Sequence, residues 1–171
     1  MILNEGIIIR NAGMVLLNAY FSLLFEKLGL TENNSFINKE SQLKAVHFVQ
    51  YLATGMEQTQ ESYLGFNKVL CGIPITAPIQ DAIEILEDQK KLMDGLIGAA
   101  INNWTAIGDT SIDGFRGNWL VRDGILKEEE DYLELTVEKR AYDLLIQRSP
   151  FNFSVIKLSW MLKPLRVNWA Y

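Results

Sequence analysis

Trp104-Thr-Ala-Ile-Gly-Asp-Thr-Ser-Ile-Asp-Gly-Phe-Arg116, then Trp119-Leu-Val-Arg-Asp-Gly124 and Leu133-Glu-Leu-Thr-Val-Glu138, mark the place where the chain changes its hydrophobic period. Asp109-Thr-Ser-Ile-Asp113 has the residue types of a helix start. The Thr110 hydroxyl can accept a free backbone N–H, and Asp113, three residues on, can return the bond. The helix so opened runs to about Val121 and closes at Asp123-Gly124. Beyond it Leu133, Leu135 and Val137 alternate with Glu134, Thr136 and Glu138, the period of two that a half-buried strand requires. Residues 153–160 and 165–169 alternate in the same way, and residues 141–147 have room for one or two helical turns. Glu128-Glu-Glu-Asp131 packs four like charges together, which prefer water, so this run reads as a solvated hairpin loop between two strands.

Upstream the period is helical. Three consecutive isoleucines within residues 5–10 predict a strand, and Asn11-Ala-Gly13 turns the chain into a helix over residues 14–28 that is apolar on most sides. Gly29 ends it, and residues 31–39 read as a polar loop. A second helix over residues 41–53 carries the stripe Leu43, Val46, Val49, Leu52 and stops at Gly55. A third over residues 61–70 is ended by Cys71-Gly-Ile-Pro74. Pro78 opens a fourth over residues 79–103, along which Ile79, Ile83, Leu86, Met93, Ile97, Ala100 and Trp104 keep the helical spacing. The expectation is one α+β domain over residues 1–171. Four or five helices fill the N-terminal two-thirds, packed with a small, mainly antiparallel sheet of C-terminal strands that an N-terminal strand can join.

The composition narrows the function classes. At 171 residues the chain can build a real core, and 49% hydrophobic with 22% charged residues is ordinary globular usage. A net charge of −5 with scattered Lys and Arg argues against nucleic acid. The apolar run 14–28 contains Asn18, Ser22, Glu26 and Lys27 and is too short and polar for a bilayer about 30 Å thick. No signal-peptide pattern opens the chain and the single Cys71 cannot form an intrachain disulfide, so synthesis in the cytoplasm is expected.

Chemistry finds little to work with. The single His47 lies mid-helix beside the apolar stripe, Cys71 sits in an apolar helix end, and one His with one Cys gives no metal cluster. No cofactor is expected. Ser111 and Asp113 are explained by capping rather than by a triad. Among the carboxylates Glu138 is the candidate for a buried role, with Arg116, Arg122 or Arg140 in reach, and Asp113, Arg116, Arg122 and Glu138 form the expected structural ion-pair set. A carboxylate-based enzyme or small-ligand protein centred on Glu138 is the rival reading, and a generic regulatory binding module is another. The second half is crowded with aromatics, most of which should be core, with one exposed cluster as the alternative that would mark a partner surface. Trp160, Met161, Trp169 and Tyr171 are the residues expected to meet a partner, because aromatic side chains dominate protein interfaces.

Taken in order, several segments form a pattern: Asn11-Ala-Gly-Met-Val-Leu-Leu17, Ala45-Val-His-Phe-Val-Gln-Tyr-Leu-Ala-Thr-Gly55, Asn67-Lys-Val-Leu-Cys-Gly-Ile-Pro74, the block from Trp104 to Gly124, Val137-Glu-Lys-Arg-Ala-Tyr-Asp143, and Trp160-Met161 through Trp169. By these segments the chain resembles the C-terminal conserved domain of contractile injection system tape measure proteins, a family of phage-tail-like particles. Ser149-Pro-Phe151 and Leu158-Ser-Trp160 depart from the Pro-Trp pairs of the family pattern. The resemblance implies a non-enzymatic structural role, by contact with inner tube, hub or spike proteins at the baseplate end of an assembled particle, in several copies around a symmetry axis. A tape needs a long extended segment, and every long segment here belongs to the compact module. The anchoring half of the task is therefore what the resemblance implies for these residues.

Overall fold

The computed structural model describes residues 5–170. The helical half is organised around α2 (Lys39–Thr54). Asn38 opens this helix by accepting the Ser41 N–H at 2.8 Å, and it stops at Gly55. Ala45, Val46, Phe48, Val49, Leu52 and Ala53 are all buried. A helix apolar around most of its circumference must be covered on several sides. The cover comes from α3 (Gly65–Leu70), α4 (Glu87–Asn103) and the turn that follows α5 (Ile112–Phe115).

The expected helix over residues 14–28 is built in two pieces, a 3₁₀ helix over Ala12–Tyr20 followed by α1 (Phe21–Lys27). Nine residues is long for a 3₁₀ run, whose hydrogen-bond geometry is poorer than that of an α-helix. Its surroundings hold it. The Ala12 N–H donates to the Arg122 carbonyl at 2.9 Å, and every residue of Ala12–Leu17 is buried. Gly13 lies so close to the Trp119 carbonyl that a Cβ built on it would be 1.6 Å from that oxygen.

The sheet has the order β1-β4-β5-β7-β6, with β1 (Ile7–Ile9), β4 (Gly124–Glu128), β5 (Leu133–Val137), β6 (Val155–Ile156) and β7 (Leu165–Asn168). Only β5 and β7 pair in parallel. Because the side-chain period is two, register sorts the faces. The row Ile7–Leu126–Leu135–Val167 faces the core, while Ile8–Ile125–Thr136–Asn168 faces out, with Ile8 72% exposed. The N-terminal strand thus joins the sheet at one edge, and the α+β class is as expected.

Further segments differ from expectation. The helix expected over residues 61–70 begins as a 3₁₀ turn over Glu61–Tyr63 and becomes α3 only at Gly65. Residues 31–39 contain a tight hairpin of β2 (Thr31–Glu32) and β3 (Ser35–Phe36), turned by Asn33 and Asn34 at φ 53° and 62°, a left-handed conformation that Asn tolerates better than most residues. Residues 79–86 are not helical. They cross the face of α2 as an irregular strap that buries Ile85 and bridges Ala82 to Gln58. The strand expected over residues 153–160 shrinks to Val155–Ile156, because the chain turns at Leu158–Met161, where the Met161 N–H donates to the Leu158 carbonyl at 3.0 Å. The helix start is capped by Ser111, whose hydroxyl accepts the Gly114 N–H at 2.9 Å, rather than by Thr110.

Gly13→Ala is expected to destabilise the chain at the top of the about 1–3 kcal/mol range for overpacking, since the clash is with backbone and cannot relax by a rotamer change. Urea unfolding of the variant checks this; wild-type stability would contradict the close approach.

Candidate functional site

The helix begun at α5 widens into a π-turn over Arg116–Leu120, with Val121 N–H donating to the Arg116 carbonyl at 2.8 Å. A helix end leaves carbonyls without intrahelical partners. Here side chains take them. Arg122 Nη2 donates to the Asn118 carbonyl at 2.8 Å, the Tyr142 hydroxyl to the same oxygen at 3.2 Å, and Arg140 Nη1 to the Gly117 carbonyl at 3.1 Å.

Arg122 is the centre of this arrangement, with 0% of its side chain exposed against 1% for Asp143. Its Nη1 lies 2.7 Å from both carboxylate oxygens of Asp143 and donates also to the Glu138 carbonyl at 3.2 Å. The guanidinium is enclosed by three rings, Trp169 at 5.0 Å and Trp119 and Tyr142 each at 5.6 Å, all within cation–π range. Asp143 in turn accepts from Trp169 Nε1 and from the Arg140 N–H, both at 2.9 Å. A buried carboxylate with that many donors keeps its charge compensated. The cluster ties the π-turn, the end of β5, the 3₁₀ helix Ala141–Arg148 and the end of β7 into one unit.

Of the expected ion-pair set, Arg122 meets Asp143 and not Glu138. The Glu138 side chain stands exposed, and only its backbone serves the cluster, accepting from Arg122 and donating to the Asp123 carbonyl at 2.8 Å. Strand alternation explains this, since Val137 faces inward and its neighbour must face out. Arg116 sits at the end of α2, where Nε and Nη2 donate to the carbonyls of Leu52 and Tyr51 at 3.2 and 3.3 Å. Its carboxylate partners are Asp94 at 3.2 Å and the exposed Asp113 at 3.5 Å. A buried amide network, which the sequence reading did not single out, closes the other side of α2. Asn11 Nδ2 donates to Asn67 Oδ1 at 2.6 Å, and Asn67 Nδ2 to Gln50 Oε1 at 3.0 Å and to the Val46 carbonyl at 3.0 Å.

The aromatic residues expected to meet a partner are turned inward. Met161 and Trp169 are buried, Trp169 against Phe153 and Arg122. Trp160 is half-buried, its ring against Phe25 and Phe36 at 5.5 and 5.1 Å and its Nε1 donating to the Leu70 carbonyl at 2.8 Å. These side chains complete the fold of their own chain. Tyr171 lies outside the described residues.

Two reactive side chains have settings that fit packing. Cys71 is buried in apolar surroundings, which pushes its thiol well above the usual range and disfavours the nucleophilic thiolate. His47 is buried on α2 beside a cavity of ≈ 170 Å³ lined by Lys44, Ile79, Gln80 and Ile83, and its Nε2 has no hydrogen-bond partner. Burial lowers its pKa, and the Gln80 backbone and the Asp81 carboxylate raise it less than burial lowers it. No group of three or more His, Cys, Asp or Glu side chains among the described residues is placed to hold a metal ion. No described helix is long and apolar enough to cross a membrane.

The Arg122–Asp143 pair predicts strong coupling. Asp143→Ala or Arg122→Met alone is expected to cost about 3–5 kcal/mol, because each strands a buried charge, and the double variant less than the sum; additive losses in chemical denaturation would contradict the pair. His47 predicts a pH effect. Its folded pKa lies below the unfolded value near 6.5, so its contribution to stability is full above that value and declines as pH falls through it, the unfolded chain binding the proton first. Between pH 7.5 and 5.5 the wild-type chain should lose more stability than His47→Gln; parallel losses would show that the imidazole is solvated.

No curated protein and no solved structure matches the chain. The sequence nonetheless matches the family model described as contractile injection system tape measure protein, and the match spans residues 2–169. It runs through every element of the fold, from β1 and the amide network to the Arg122 cluster and Trp169. The chain belongs to the contractile injection system tape measure protein family, and its role is that of a structural component of such a system.

Proposed function

We propose that this module is a non-catalytic anchor, made in the cytoplasm and then built by protein–protein contact into the particle near the tube, hub or spike. The observation that carries the reading is the family match across residues 2–169. The chemistry of the interior agrees with it. Buried polar side chains such as Arg122, Asp143, Arg116 and Lys68 are engaged in internal bonds, Lys68 Nζ holding Glu61 at 2.8 Å and the Ile75 carbonyl at 3.1 Å. Such groups rigidify a fold, and the Asp143 carboxylate, which borders a cavity of ≈ 440 Å³, is already taken by Arg122, Trp169 and the Arg140 N–H. The longest described helix, α4, has 17 residues and so spans about 26 Å at 1.5 Å per residue, which suits a docking body rather than a length standard.

The partner surface is drawn from what remains exposed after Trp160, Met161 and Trp169 are spent on the core. The outer sheet face offers Ile8 and Ile125, paired across β1 and β4, next to an edge strand able to pair with a neighbour. The test is size-exclusion chromatography with light scattering, on this chain alone and mixed with tube, hub and spike proteins of its own system. Self-association, or co-elution with one of them, is the expected result. A monomer that ignores every particle protein would overturn the anchoring role.

A further inference from the structure

A groove of ≈ 380 Å³ opens between α1 and α4 on the helical half, away from the sheet. Tyr20, Leu23 and Leu24 form one wall and Leu92 and Leu96 the other. Leu23 is 56% exposed, an unusual position for a leucine on a helix whose other apolar residues, Phe21, Leu24 and Phe25, are buried. The lining includes Gly95 and Ala99, and a Cβ built on Gly95 would meet nothing within 4 Å, so the backbone of α4 is open to close approach. The rim is basic. Lys27 and Lys91 are the charged residues that line the groove, no carboxylate lines it, and among the described residues neither ammonium has an ion-pair partner. The lining thus carries positive charge in a chain of net charge −5.

We propose that this groove seats an amphipathic helix whose apolar stripe is flanked by carboxylates. A helix laid between two helices buries its stripe against the leucines, and the small residues of α4 let the axes come within the usual about 8–10 Å. Glutamate or aspartate beside the stripe then answers Lys27 and Lys91, which fixes the sign of the partner's charge and raises the encounter rate. The inference rests on the anchoring role only for the source of such a helix, a particle protein; the groove's own chemistry selects the occupant.

The test uses three synthetic helical peptides that share one leucine stripe and carry Glu, Gln or Lys at the flanking positions, titrated against the full chain by fluorescence anisotropy at low salt. Affinity should fall in the order Glu, Gln, Lys, by roughly tenfold or more from first to last, given exposed ion pairs and like-charge contacts at two sites. Lys27→Glu/Lys91→Glu should reverse the order, and Leu96→Glu should weaken all three by about tenfold or more through loss of apolar burial. Circular dichroism confirms that each variant is folded. Three results would each overturn the proposal: no peptide binds, binding is indifferent to flanking charge, or binding survives Leu96→Glu. So would self-association of the chain that is lost in Leu96→Glu, which would put a second copy in the groove, or vesicle binding lost in the same variants. Peptide binding without co-elution of particle proteins would leave the groove in place and remove the anchoring role, so the two readings fail separately.

Discussion

The fold of the C-terminal half depends on one buried cation. Arg122 has no exposed surface, and a guanidinium in an apolar interior is tolerated only if its charge and its donors are met. Asp143 meets the charge, the Asn118 and Glu138 carbonyls take donors from the two Nη groups, and three rings present their faces, while the buried Nε has no hydrogen-bond partner. The partners come from several segments, so the full cluster can form only when the π-turn, the end of β5, the 3₁₀ helix Ala141–Arg148 and Trp169 have all arrived. A buried pair of this kind contributes little net stability compared with an apolar replacement, but it penalises alternative packings heavily because each leaves a naked charge. The specificity of the arrangement follows from that asymmetry.

The helical half meets the cluster along the first turn of Ala12–Tyr20. There Gly13 and the Trp119 carbonyl touch backbone to backbone, and the Ala12 N–H reaches the Arg122 carbonyl. Asn11, one residue earlier, enters the amide network with Asn67 and Gln50. A few consecutive residues therefore join the sheet, the π-turn, α2 and α3. The buried polar groups, long side chains such as Arg122 and Arg116 among them, are met by carboxylates, amides and backbone carbonyls of the same chain.

Much of the fold was legible because the periods are clean. Leu133, Leu135 and Val137 had to face one way, and the stripe of residues 41–53 had to be a buried helix. The hairpin at residues 31–39 was missed although Asn33-Asn34 is a recognisable turn pair, since its strands are only two residues each. The strap of residues 79–86 was misread because Ile79, Ile83 and Leu86 satisfy a helical spacing that the tertiary setting overrides. The site was less legible. The sequence named Arg122 and offered Glu138 an arginine partner among Arg116, Arg122 and Arg140, but Glu138 directly follows β5, where alternation points its side chain outward; nothing local announces that Asp143, a few residues on, closes on Arg122. The aromatics of the second half read as mostly core, with Trp160 and Trp169 chosen as those to meet a partner. A tryptophan beside a buried arginine serves the core just as well, and only the packing distinguishes the two.

The most direct measurement is a cryo-electron microscopy reconstruction of the assembled injection particle from the system that encodes this chain. Ordered density for residues 5–170 at the baseplate end, in contact with tube, hub or spike subunits and with the Arg122–Asp143 cluster intact, is the predicted result. A complete particle with no place for this domain would contradict the anchoring role.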